Sequence, residues 1–167
     1  MIVFYDPGHS VHNPEREYTS GGPIPYPECA DRAHGIGAAL KEAGFTLQPP
    51  PPCAPEALRT VHDGDYLDFL SAVYSNQHPH SAELVPTTFA LRGGRRPPCR
   101  RAQAGYYGFD TTPLTPGTWS AARASASSAL AGAGALADGA PAAYALCRPP
   151  GHHACQSRSM GFCFLNS

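Results

Sequence analysis

Arg148-Pro149-Pro150-Gly151-His152-His153-Ala154 is the most informative stretch of the chain. Two prolines and a glycine fix the backbone ahead of two adjacent histidines. A general base must be held within hydrogen-bond reach of its proton, so a pre-set backbone suits acid–base chemistry. Imidazole is the side chain whose ordinary pKa lies nearest neutrality. Two charged imidazoles side by side repel, which favours one neutral, proton-accepting ring. Two other accounts of these residues stand beside that one. An adjacent pair also reads as solvated loop histidines. Cys147, His152, His153 and Cys155 together read as a structural zinc module, although their C-x4-H-H-x-C spacing is not a usual closed-site pattern.

Outward from this stretch, Ala143–Cys147 reads as the strand that feeds it, and Arg148–Met160 as an irregular loop. Upstream, Thr115 and Pro116 predict a helix start, with Thr as N-cap and Pro in the first turn. That helix runs to about Ala137 and stops at Asp138-Gly139. Thirteen alanines between positions 121 and 145 suit close packing. At the other end of the chain, Ile2–Tyr5 reads as a buried strand closed by Asp6-Pro7-Gly8, and the loop through Pro27 shows no period. Residues 28–43 are helical in spacing, with Ile36, Ala39, Leu40 and Ala43 on one face and Gly44 at the C-terminal cap. Phe45–Leu47 predicts a second strand, Pro55–Val61 a short helix and Asp65–Tyr74 a longer one carrying Tyr66, Phe69, Leu70 and Val73 on one side. From 78 to 116 six prolines and no sustained period predict a long loop. Strands alternating with helices point to an α/β fold with a parallel sheet. In such sheets ligands bind beyond the carboxyl ends of the strands, where the loops Asp6–His12 and Arg148–Cys155 emerge.

Composition bounds the rest. The 167 residues are 42% hydrophobic and 15% charged, which is globular and sufficient for one core. A net charge of −1 argues against an electrostatic grip on nucleic acid or anionic lipid. No apolar run is long enough for a membrane span, and MIVFYDPGHS lacks the pattern of a secretory signal. Six cysteines without a CxxC pair read as reduced thiols, so a cytoplasmic location is expected.

The stretch 145–154, followed by Met160-Gly161-Phe162-Cys163-Phe164-Leu165-Asn166, resembles the histone deacetylase superfamily, which is marked by an RPPGHHA loop and a GFCFxN segment. His62-Asp63-Gly64-Asp65-Tyr66 is similar to the family's upstream H-x-x-x-Y helix. Glu83 to Phe89, Gly105-Tyr106-Tyr107 and Thr115-Pro116-Gly117-Thr118-Trp119 resemble the acetylpolyamine amidohydrolase branch of bacteria. The resemblance runs over essentially the whole chain and implies an arginase/deacetylase-like parallel sheet sandwiched by helices, of which only the first strands and helices are expected here.

It also implies an activity: a zinc-bound water attacks an acetamide carbonyl and releases acetate and a free amine. His152 and His153 match the acid–base pair, the second being the proton shuttle. Gly161 and Phe162 match the narrow channel for a slender methylene chain. Glu83 matches an acid facing the cationic part of a polyamine, and the substrate expected is a small acetylated amine or acetyl-lysine. The segment 78–116 resembles an insertion that narrows the entrance and contributes to a homodimer. Between 79 and 113, however, Arg92, Arg95, Arg96, Arg100 and Arg101 outweigh Glu83 and Asp110, leaving +3 where a polyamine would approach. This arginine cluster lacks the aromatic interleaving of a nucleic-acid site.

The family's Zn²⁺ ligands, an Asp-x-His pair and a second Asp, lie downstream of the GFCFxN segment, and no Asp-x-His occurs between residues 1 and 167. The ligands are therefore expected beyond residue 167, with residues 1–167 forming the N-terminal part of one deacetylase domain. The alternative is a truncated, non-catalytic chain or a half-domain that needs a partner. In either case Ala143–Cys147 is expected to leave an open strand edge.

Overall fold

A computed structural model describes residues 1–74, 83–90 and 94–167. The apolar run Ile2–Tyr5 forms β1, the middle strand of a parallel sheet ordered β4–β1–β5, with β4 at Leu47–Gln48 and β5 at Ala143–Leu146. The register pairs Val3 with Leu47 and Tyr144, Phe4 with Ala145, and Tyr5 with Leu146. Strand side chains alternate between faces. Tyr5, Leu47 and Leu146 therefore share one face, and Phe4, Ala143 and Ala145 the other.

Each face receives a helix at close range. Helix α1 (Ala30–Glu42) lies over the first: a Cβ at Gly37 would stand 3.5 Å from Leu47 Cδ2 and 3.9 Å from Leu146 Cδ2. Helix α5 (Thr118–Ala137) lies over the second, where a Cβ at Gly132 would meet the methyls of Ala145 and Ala143 at 3.6 and 3.9 Å. Small residues on both partners let backbone approach backbone, which gives the alanine-rich run its purpose. The result is the expected parallel sheet between helices. Among the described residues β5 pairs with β1 alone, so its outer edge is open.

The main apolar cluster lies beyond α5. Leu58 of α2 (Pro55–Arg59), Tyr66, Phe69 and Leu70 of α3 (Gly64–Ala72), and Tyr107 gather around Leu114, Phe164 and Leu165. The Tyr66 hydroxyl donates to Phe164 O at 2.7 Å, satisfying a buried polar group and tethering the segment after Gly161-Phe162 to α3.

Four sequence expectations shift. The second strand sits at Leu47–Gln48 rather than Phe45–Leu47. Helix α5 begins at Thr118 with Gly117 as its N-cap, rather than at Pro116 with Thr115 as N-cap, and the hydroxyls of both threonines turn to buried His12 Nδ1, at 3.2 Å from Thr115 and 2.9 Å from Thr118. The featureless loop to Pro27 contains an antiparallel hairpin, β2 (Arg16–Thr19) and β3 (Gly22–Pro25), whose mostly exposed side chains need no apolar alternation. The long loop contains helix α4 (Arg100–Tyr107), which docks through the small residues Ala104 and Gly105 as well as Tyr107. A Cβ at Gly105 would fall 1.7 Å from Thr88 O, so this contact is backbone on backbone and carries no hydrophobic period. Arg92 and the rest of 75–82 and 91–93 lie outside the described residues.

Candidate active site

Strands β4 and β5 lie on opposite sides of β1, so the carboxyl ends of β1 and β5 flank the point where the strand order reverses. That crevice is where open α/β sheets bind ligands. Arg148, the first residue beyond Cys147, is 2% exposed. Its guanidinium donates to the backbone carbonyls of His12 (2.6 Å), Glu28 (2.7 Å), His9 (3.0 Å) and Cys29 (3.2 Å), while the Glu28 carboxylate lies 3.3 Å from Nε. A buried cation is tolerable only with such partners. One side chain thus ties the loop after β1 and the entry to α1 to the loop after β5. Burial pushes the Glu28 carboxyl up to about 7 against the opposing pull of Arg148 and Arg32.

After the two prolines the chain turns tightly, with Ala154 N–H donating to Gly151 O at 2.9 Å, and this presents His152 and His153 at the tip. Both are exposed, with ring centroids 4.3 Å apart and planes tilted by 55°. Gly151 is required by approach rather than by φ: a Cβ there would stand 2.4 Å from Leu165 O and 2.3 Å from Ser167 N. The returning segment is held from below by buried His62. Its Nδ1–H donates to Gln156 O at 3.2 Å, and its Nε2 accepts from Asn166 N–H at 2.9 Å. Burial lowers the His62 pKa, consistent with a neutral ring in that bridging role.

The wall beside His153 is a two-residue turn. Met160 and Cys163 exchange backbone hydrogen bonds at 3.1 and 3.0 Å, and the residues between them, Gly161 and Phe162, both have left-handed φ, +56° and +67°. Two successive positive φ values define a type I′ turn. For Phe162 the conformation costs about 1–2 kcal/mol. Gly161 needs its small size as well, because a Cβ would stand 2.7 Å from His153 Cδ2. The Phe162 ring packs edge-on against Tyr26, centroids 5.0 Å apart.

His152, His153, Gly161 and Phe162 line one cavity of about 410 Å³, together with Glu28, Arg32, Leu146, Cys147, Arg148 and Pro150 among others. That volume suits a small organic molecule. A larger cavity of about 550 Å³ lies under α4, between Leu84, Phe89, Arg95 and Tyr106 among others, but among the described residues no His, Cys, Asp or Glu lines it. The four sequence-derived residues therefore meet, and the fifth stands apart. Glu83 accepts a hydrogen bond from the Glu15 backbone N–H and does not line the histidine cavity.

His9 and His12, on the facing loop, are buried hydrogen-bonders. Burial, with Arg148 next in size, lowers the His9 pKa to about 4 and that of His12 to about 3. The Cys147 thiol donates to Ser125 O at 3.4 Å, and Cys155 is exposed with its sulfur 3.8 Å from His153 O. Among the described residues no group of three His, Cys, Asp or Glu stands close enough to hold a metal ion. The zinc module of Cys147, His152, His153 and Cys155 is therefore not assembled, and the described residues supply no site for the family's Zn²⁺.

The positioning roles of Arg148, His62 and Asn166 escape a sequence reading because their partners are distant backbone atoms, and that of Glu28 because Arg148 is remote from it in the chain. Asp110 and Thr112 escape it too. Their only local sign is an Asp followed two residues later by a Thr whose N–H it accepts, at 3.0 Å.

Comparison with known proteins places this geometry. Residues 26–167 match the histone deacetylase domain model. The whole chain is 38% identical to the acetylpolyamine amidohydrolase of Mycoplana ramosa, covering 51% of it, and 40% identical to that of Burkholderia pseudomallei, covering 50%. The chain thus spans about half the length of the curated relatives it matches. Among solved structures, the crystal structure of acetylpolyamine aminohydrolase from Burkholderia pseudomallei superposes with a TM-score of 0.91 at 37% identity, over 99% of this chain and 50% of that one. The HDA15 HD domain superposes with a TM-score of 0.70 at 23% identity, over 99% of this chain and 40% of that one, a likeness of fold.

Proposed function

The chain belongs to the histone deacetylase family, and from that premise we propose that it carries the histidine half of a hydrolase site that removes acetyl groups from small acetylated amines, acetylpolyamines first. One observation carries the reading: His152, His153, Gly161 and Phe162 meet on a single cavity at the switch point of the sheet. Hydrolysis of an acetamide needs a base that takes a proton from water as it adds to the carbonyl carbon. It then needs an acid that gives a proton to the departing nitrogen as the C–N bond breaks. His152 and His153 stand close enough to divide these tasks, with His153, against Gly161, as the proton shuttle to nitrogen. Phe162 offers an apolar wall to the acyl-bearing chain, where each buried CH₂ contributes about 0.8 kcal/mol. Glu83 serves the cationic end of the substrate from outside that cavity.

A bound Zn²⁺ would polarise the carbonyl and acidify the water, and the family resemblance puts its ligands beyond residue 167. Residues 78–116 contribute a homodimer contact, a reading supported by the exposed rings of Phe89 and Phe109. No helix among the described residues is long and apolar enough to cross a membrane.

The test is deacetylation of an acetylated polyamine and of a fluorogenic acetyl-lysine substrate, with zinc content measured in parallel. The 167-residue chain is compared with the protein expressed from its complete reading frame. Turnover and zinc in the latter alone support the half-site reading. Turnover by the 167 residues alone would mean that the metal sits elsewhere. No turnover in either favours the second reading, a non-catalytic or partner-dependent chain, which the lack of a metal donor set among the described residues motivates.

A further inference from the structure

The two N–H groups at the centre of the 160–163 turn take no part in the turn's own hydrogen bonds. Each is received by a side chain from another segment. Gly161 N–H donates to Asp110 Oδ2 at 2.7 Å, and Phe162 N–H donates to Thr112 Oγ1 at 3.1 Å. Asp110 is itself oriented, since its other oxygen accepts Thr112 N–H at 3.0 Å. Thr112 is buried, and its neighbour Thr111 donates to Tyr18 O at 3.0 Å, which anchors the bracket to the hairpin. Three residues some fifty positions upstream thereby hold a turn that its own sequence disfavours, since type I′ turns select Asn or Gly at both central positions and Phe162 is neither. A side chain at position 161 would collide with the His153 ring, so Gly161 itself offers no grip on that side.

We propose that Asp110 and Thr112 are positioning residues that clamp the Gly161–Phe162 turn against His153 and so set the width of the cavity that receives the acyl group. The inference rests on the functional reading above for the word acyl, and on geometry alone for the clamp. Without the Thr112 acceptor, Phe162 is free to leave the left-handed region. Its ring then withdraws from Tyr26, and the gap beside His153 widens. A wider gap fits the acetyl group less well and a longer acyl chain better.

Two readouts on the protein expressed from its complete reading frame test this. Thr112→Val keeps the shape and removes the acceptor, and Thr112→Ser keeps the acceptor. In Thr112→Val the Gly161 and Phe162 amides lose hydrogen-exchange protection and the His153 Cδ2–H resonance moves, while Thr112→Ser matches wild type. With acylated putrescines, Thr112→Val loses about ten- to a hundredfold in kcat/KM for the acetyl substrate, the scale of a misplaced site wall. It loses less for the butyryl substrate, and Thr112→Ser restores the wild-type ratio. Asp110→Asn, whose amide presents a donor where an acceptor is needed, shifts the same signals in the same direction. Unchanged amide protection and an unmoved His153 resonance in Thr112→Val overturn the clamp. A normal clamp signature with an unchanged acetyl-to-butyryl ratio overturns its role in width. Absence of turnover in wild type strikes the functional reading instead, and the amide and ring signals still decide the clamp.

Discussion

Two loops leave the same end of the sheet, and each carries two histidines. In the loop after β1, His9 and His12 are 1% and 0% exposed. The His9 ring bonds the Tyr5 hydroxyl at 2.9 Å, and His12 Nδ1 is met by two threonine hydroxyls. In the loop after β5, His152 and His153 stand exposed on a cavity wall. Rings this deeply enclosed cannot reach a substrate, even though His12 Nε2 has no hydrogen-bond partner among the described residues. The difference teaches that a histidine at a strand's carboxyl end acquires a chemical role only when its ring is left free, and that the neighbouring loop can be consumed in keeping it so.

Arg148 joins the two loops, and its loss is the most damaging way to break the comparison. Arg148→Leu leaves four buried carbonyls without their donor and Glu28 without its counter-charge, with an expected cost of about 3–5 kcal/mol in chemical denaturation. A cost below about 1 kcal/mol would show that the guanidinium is not the pin. Next in size is His12→Ala, which empties a packed site against Phe164 and removes the ring partner of two threonine hydroxyls. A loss of about 2–4 kcal/mol is expected. His153→Ala sharpens the contrast from the other loop. Stability should move by no more than about 0.5 kcal/mol, while deacetylation falls by about 10²–10⁴-fold. The reverse pattern in these two variants would exchange the roles of the loops.

The smallest effect is in pH. His9 and His12 titrate near 4 and 3 in the fold against 6.5 in the free side chain, so the stability they contribute is complete above pH 6.5 and drains as pH falls toward those values. Glu28, near 7 against 4.5, has the opposite sign, its share being complete below 4.5 and lost as pH rises through 7. Comparing denaturation midpoints at pH 5 and pH 7 separates them. Glu28→Gln should gain on wild type between the lower and the higher pH, and an equal gap at both would remove Glu28 from the account.

What the sequence made legible follows the same division. Strand β1, the face of α3 and the cap at Gly44, with φ of +85°, were readable because burial imposes a period or a glycine. The hairpin at 16–25 and helix α4 were not, since one faces solvent and the other docks through Ala104 and Gly105. The motif at 148–154 stood out because two prolines, a glycine and paired histidines follow one another there. The supports of that motif are silent in sequence. Arg148 grips carbonyls that any residue could present, and Thr112 receives an amide that any residue could donate. Glu83 was legible as an acid, but its engagement by the Glu15 N–H depends on where the hairpin lies.

The register that joins Ile2 to Ala143 also has a consequence in time. Strand β1 precedes β5, one of its two neighbours, by about 140 residues along the chain. At about 5–20 residues per second the nascent β1 waits roughly 7–28 s for that neighbour. Through that interval one flank of Val3 and Phe4 lacks its partner strand. During synthesis, a chaperone that shields β1 until β5 emerges would therefore do more for yield than one that acts after the two strands have paired.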